Sequence, residues 1–298
     1  MGCDLNNYLL FRIGLPLKFG LVVGFALFSH AQPCVADTVT TSPLYERVEA
    51  VLERIENSPL DEPIAVESGD DDSRMEGEVA AKVDKPFAMV AEVVGSVSGW
   101  CKMAFLHINV KACTHNETSL RMYVGSKDFE TPEEATALDL EFQVKKQSDD
   151  RLEVTLRGDE GPHGTHDFVM ALVAVPLDED TTLLELTYSL GIGTAARVAM
   201  DIYLGTVGRH RIGFTRDEDD EYIGGLRGVI ERNVMRFYLA LQALLETHDK
   251  PQEERLEARL KRWFELTDRY AEQLRELDRE TYLSQKEREW EEGGAAQP

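Results

Sequence analysis

From Leu138 to Leu190 the chain repeats one pattern, a run of alternating apolar and polar residues followed by a short turn. Leu138, Leu140, Phe142 and Val144 fall on one side of such a run, and Asp139, Glu141, Gln143 and Lys145 on the other. That two-residue period is a strand with one dry face and one wet face. Ser148-Asp149-Asp150 and Pro176-Leu177-Asp178-Glu179-Asp180 carry turn chemistry between successive runs. Connections this short join antiparallel neighbours, because a parallel crossover needs a dozen or more residues. The pattern predicts a meander, with strands over 75–83, 104–110, 119–124, 138–145, 151–157, 167–175 and 183–190.

The dry face of such a sheet needs a cover. A long helix is expected over 226–246, where Ile230, Val234, Phe237, Leu241, Leu244 and Leu245 form one apolar stripe. Arg232 and Arg236 fall on the opposite side, and Arg227 and Glu231 make an i,i+4 pair at the stripe's edge. Shorter helices are expected over 44–55, 87–94 (opened by Pro86) and 195–204. Residues 57–73, with Pro63 and the run Asp70-Asp71-Asp72, read as a solvated acidic connector. Beyond Pro251 one amphipathic helix is expected to about residue 290. Its seam is Leu256, Leu260, Trp263, Thr267, Tyr270, Leu274 and Leu277. That seam either packs on its own domain or takes a partner helix or a second copy; residues 293–298 read as a frayed tail.

Lys and Arg number 32 against 55 Asp and Glu, a formal net charge of −23. Such a surface repels phosphate backbones and excludes a general nucleic-acid binder. The one long apolar run, Phe19–Phe28, follows Arg12 and Lys18 and has the length of a secretory signal core. Small-x-small cleavage fits after Ala31 or after Ala36. Cleavage after Ala36 removes Cys34 and leaves Cys101 and Cys113 as a pair for an oxidising compartment, so it is favoured, with residues 1–36 as signal peptide. An uncleaved anchor is the alternative; Asn6 and Pro33 argue against acylation at Gly2 or Cys3 and at Cys34.

One strand, short helices, an antiparallel meander and then a long helix is the helix-grip order. Over Arg74–His248 the chain resembles the START-like (SRPBCC) superfamily of polyketide cyclases, lipid-transfer domains and ubiquinone-binding relatives. Trp100-Cys101-Lys102, Asn109-Val110-Lys111-Ala112-Cys113, Gly208-Arg209-His210-Arg211-Ile212-Gly213-Phe214 and Arg227–Arg236 resemble an exported proteobacterial branch. The resemblance implies an α+β fold, a curved antiparallel sheet of about seven strands covered by the long helix, with an internal cavity and no fixed reaction. The stretch Gly191–Gly225 and the extra C-terminal helix depart from the minimal pattern.

The expected partner is an apolar small molecule or lipid, with no cofactor. Arg227, Glu231, Val234, Tyr238, Trp100, Tyr123 and Tyr188 are the candidate ligand-binding residues. Arg227 with Glu231 either binds a head group or is a structural ion pair holding the helix to the Arg209–Arg211 region. Phe105 and Phe168 are either core or cavity aromatics. His163, His166 and Asp167, near Glu160, sit in a glycine-containing turn that reads as a polar hairpin, since no spaced ligand set supports a metal. An enzyme acting on a hydrophobic substrate would require Glu231, Arg227 or this turn to converge on one pocket. An interaction protein would instead use the acidic surface and the 256–277 seam.

Overall fold

A computed structural model describes residues 43–293 except 72 and 207. The expected signal segment with its two cleavage sites, and the tail beyond Gly293, lie outside the described residues. Helices α1 (Pro43–Glu56), α2 (Phe87–Val94), α3 (Val97–Leu106), α4 (Thr194–Gly205) and α5 (Gly225–Glu246) accompany an eight-stranded sheet. Its strands are β1 (Ile64–Asp70), β2 (Arg74–Val83), β3 (Val110–His115), β4 (Ser119–Val124), β5 (Thr136–Ser148), β6 (Arg151–Glu160), β7 (Thr165–Pro176) and β8 (Thr182–Ile192). They lie in the order β1-β2-β8-β7-β6-β5-β4-β3, every pair antiparallel.

The meander is present, with one strand more than expected. Residues 64–70, read as connector, form the edge strand β1, which pairs with β2 from Ile64↔Ala81 to Asp70↔Met75. α1 covers its outer face, where Val51 and Ile55 pack on Ala65, Ala80 and Leu183. Arg54 of α1 reaches Glu67, Glu78 and Glu185 at 2.7, 2.6 and 3.4 Å, so the acidic edge is tied to a helix. The strand expected over 104–110 is instead the end of α3, with β3 beginning at Val110. Its apolar run continues the helix and does not alternate. Cys101 of α3 and Cys113 of β3 are joined by a disulfide with a Cα separation of 5.4 Å. A bridge closing so short a loop is worth roughly 2–3 kcal/mol.

α5 lies across the concave face of the sheet. It approaches β2 most closely at Gly77, where an added Cβ would stand 3.3 Å from both Ile230 and Val234. The expected single C-terminal helix is three helices, α6 (Arg255–Asp268), α7 (Ala271–Leu274) and α8 (Arg279–Gly293). α6 and α7 fold back on α5, and α8 packs on β3 and α6. Leu260, Trp263, Thr267 and Leu274 of the heptad seam are buried in this packing. Trp263 Nε1 donates to the Arg236 carbonyl at 3.1 Å, and its ring stacks on Tyr282 at 4.8 Å. The seam packs largely on its own domain, the first of its two readings, and nothing in the fold supports its use for self-association.

Arg232 and Arg236 do not face solvent either. The C-terminal segment covers them, and both donate to Glu276, at 2.6 and 2.7 Å, with Arg211 at 3.7 Å from the same carboxylate. Burial alone would raise the Glu276 pKa, but the three guanidiniums hold it at about 2. Its folded pKa lies below the ordinary 4.5, so its stabilising contribution is full above pH 4.5 and fades as pH falls through about 2. Acid titration followed by tryptophan fluorescence should therefore show weakening between those values. Glu276→Gln should be less stable near neutral pH and lack this part of the acid slope.

Candidate functional site

A cavity of about 470 Å³ lies between the sheet and the first half of α5. The sheet contributes Met75, Met122, Leu138, Phe168, Tyr188 and Leu190 to its wall, and α5 contributes Leu226, Val229, Ile230, Asn233 and Phe237. Strand alternation explains the choice of residues: Met122 and Val124 of β4 point in, and Tyr123 between them belongs to the other face. α4 closes one side through Ala196, Ala199, Met200 and Tyr203. Its base is tied to the sheet edge by Arg197 and Asp70 at 2.6 Å.

An aromatic chain runs through the wall. Phe168 meets Tyr188 edge-on at 4.9 Å, Tyr188 lies over Phe237 at 6.0 Å, and Phe237 stacks on His107 at 4.9 Å. Phe168 sits at a β7 bulge that opens between His166 and Val169, with Asp167 at φ 48°. Polar groups gather at the His107 end, where Asn109 and Asn233 also line the wall. His107 is 4% exposed. Burial first, then the nearby Arg236 and Lys286, hold its pKa well below the ordinary 6.5, so the ring is neutral. Burial likewise pushes the Tyr188 phenol upward.

Of the seven residues expected to bind ligand, Tyr188 lines the cavity. The other six lie elsewhere. Val234 is pressed on β2 at Gly77, and Trp100 fills the α2–α3 corner, donating to the Val94 carbonyl at 2.7 Å. Tyr238 is buried on the side of α5 near Glu62 and Tyr270. Of the further aromatics, Phe168 is a cavity residue, whereas Phe105 is core, edge-on to Trp290 at 5.5 Å.

Arg227 and Glu231 meet through Ser68 of β1. Arg227 Nε donates to Ser68 Oγ at 3.1 Å, and Ser68 Oγ donates to Glu231 at 2.6 Å. Glu231 is fully buried and also accepts from the Phe214 and Thr215 backbone N–H groups, at 2.6 and 3.0 Å, and from Thr215 Oγ1 at 2.7 Å. Gly213 permits this approach, since a Cβ there would fall 2.4 Å from the carboxylate. Glu231 thus pins the segment after α4 and the sheet edge to α5, and Arg227 joins it through Ser68 and not as a direct ion pair to the Arg209–Arg211 region. His166 is exposed and bonds Asp167 at 2.9 Å. Among the described residues no three His, Cys, Asp or Glu side chains gather to hold a metal ion.

His107 was not singled out by the sequence. A signal was there: it is a lone imidazole inside the apolar stretch Phe105-Leu106-His107-Ile108. The pinning role of Glu231 has a direct test. Glu231→Ala strands two buried backbone N–H groups and two hydroxyls, and should lower the unfolding free energy by about 3 kcal/mol or more in urea titration.

No family model matches the chain. No curated protein matches it. Solved structures similar to it include human StAR-related lipid transfer protein 5, at 11% identity over 69% of this chain and 97% of that one, with a TM-score of 0.36. The Zhui aromatase/cyclase of a Streptomyces species is 15% identical over 66% of this chain and 96% of that one, with a TM-score of 0.32. A START superfamily protein of Mycobacterium smegmatis is 14% identical over 45% and 92%, with a TM-score of 0.31. At these scores the likeness adds nothing to what element order and strand register establish. An antiparallel meander gripped on its concave face by one long helix, with a hollow between them, is the helix-grip arrangement that the element order led us to expect.

Proposed function

We propose that this protein binds a hydrophobic small molecule or lipid in the cavity between the sheet and α5, as a carrier and not as an enzyme. The observation that carries this reading is the cavity itself: about 470 Å³ of space with a mostly apolar lining, beneath a helix that is firmly held elsewhere. A concave, mostly apolar hollow of this size favours apolar guests. Burying about ten methylenes supplies roughly 8 kcal/mol gross, and ordering and association offset a large part of it. The residues an enzymatic reading needed do not converge on that space. Glu231 and Arg227 serve the anchor at Ser68, and His166 faces solvent.

Export belongs to the same proposal. The apolar run Phe19–Phe28 and the cysteine pair left after cleavage support a carrier that shields its ligand in an aqueous compartment such as the periplasm. N-terminal sequencing of the protein from that compartment should begin at Asp37; a chain still starting at Met1 would overturn export by this route.

Filling the hollow is the test of binding. Val229→Trp projects a large ring into the cavity from α5, a position only half buried. Nile red should bind the unaltered protein with a blue-shifted emission. The variant should lose that binding by tenfold or more while keeping its melting temperature. Equal dye binding by both proteins would contradict the cavity as the site.

A further inference from the structure

The His107 end of the cavity is built for more than an apolar chain. His107 Nδ1 accepts the Asn109 backbone N–H at 3.2 Å, so the single ring proton of the neutral imidazole sits on Nε2. Nε2 is buried and no acceptor stands within hydrogen-bond distance of it; the Asn233 side chain, which interacts with the ring, is its polar neighbour. A buried donor left unsatisfied costs roughly 1–3 kcal/mol, and a ligand oxygen would recover it. The ring belongs to the cavity wall, so that oxygen would come from the guest.

The charges behind this end choose the kind of oxygen. Two carboxylates there are ion-paired with five cations. Glu289 meets Lys111 at 2.9 Å and Lys286 at 2.7 Å, and Glu276 meets Arg232, Arg236 and Arg211. Lys111, Lys286, Glu289, Arg232 and Arg236 are all buried. Lys286 Nζ also donates to the His107 carbonyl at 3.4 Å. The field felt by the imidazole comes from Arg236 and Lys286, opposed by Glu276. In a chain of net charge −23, this is a buried positive pole at one end of an apolar cavity. A charge-assisted hydrogen bond is about twice as strong as a neutral one, and a low-dielectric wall strengthens it further.

Resting on the proposed binding function, we infer that the ligand is an amphiphile with an ionised carboxyl group, its chain along the Phe168–Tyr188–Phe237 wall and its carboxylate accepting from His107 Nε2–H beside Asn233. Arg236 and Lys286 act on the carboxylate through the field and not by contact. The site draws on elements outside the minimal helix-grip pattern, since Glu276, Lys286 and Glu289 all belong to the C-terminal segment.

Calorimetric titration with dodecanoate, dodecanol and methyl dodecanoate separates the chain from the head group. Dodecanoate should bind at least about tenfold more tightly than the other two. His107→Phe keeps the stacked ring on Phe237 and removes the donor, and should bring the three ligands to within about threefold of one another. Asn233→Leu, at a half-buried position, is the second variant and should narrow the preference in the same direction if His107→Phe does not fold. Equal binding of all three by the unaltered protein, or a dodecanoate preference untouched by the foldable variants, overturns the head-group inference and leaves the apolar site standing. No binding of any of the three overturns both.

Discussion

The structure depends on α5 being held from behind. Sixteen of its 22 residues are buried, among them Arg232 and Arg236, so the helix is packed on both its apolar and its charged side. A helix attached by its apolar stripe alone would sink onto the sheet until side chains closed the space beneath. Here the clamp on Glu276, the Trp263 bond to the Arg236 carbonyl and the Glu231 anchor to Ser68 and Thr215 fix its position from three sides. The front of its first half can then span a hollow. Burying guanidiniums is costly unless each is matched by a carboxylate or a carbonyl. Arg236 shows that cost, its pKa lowered to about 10 by burial despite Glu276.

The same ion pairs give the hollow its direction. The walls from Phe168 to Phe237 are aromatic, and the far end holds a neutral imidazole, with Asn233 beside it, in front of buried cations. Lys286 is pulled down to about 8 by burial, even with Glu289 at 2.7 Å and its ammonium 4.1 Å over the Phe105 ring. The C-terminal segment thus serves structure and polarity together: it braces α5, and it brings the groups that make one end of the cavity electropositive.

What could be read from the sequence was what depends on local period. β5 to β8 announce themselves by alternation and turn residues, α2 by Pro86 and its apolar run, and α5 by its stripe. The Cys101–Cys113 pair followed from counting thiols in an oxidising compartment. What depends on tertiary partners was hidden. β1 has just Ile64-Ala65-Val66 as an apolar core, and acidic residues after it; it is a strand because β2 offers an edge and α1 supplies Arg54. The helical period runs through the breaks after Arg269 and before Arg279 because α6 and α7 bury residues against α5 while α8 buries its own against β3 and α6, so one long helix was expected where there are three. Arg232 and Arg236 fell on the wet side of the wheel because a wheel cannot see the segment that covers them. Six of the seven candidate ligand residues lie away from the cavity wall for the same reason: residue type identifies a buried aromatic or a charged group, and only packing tells which side of it is empty.

A crystal structure of the purified protein under xenon pressure tests the central claim most directly. Density for a guest, either xenon or a chain retained through purification, is expected in the space bounded by Phe168, Tyr188 and Phe237. Those side chains found closed against α5, with the space filled and no guest present, would contradict it.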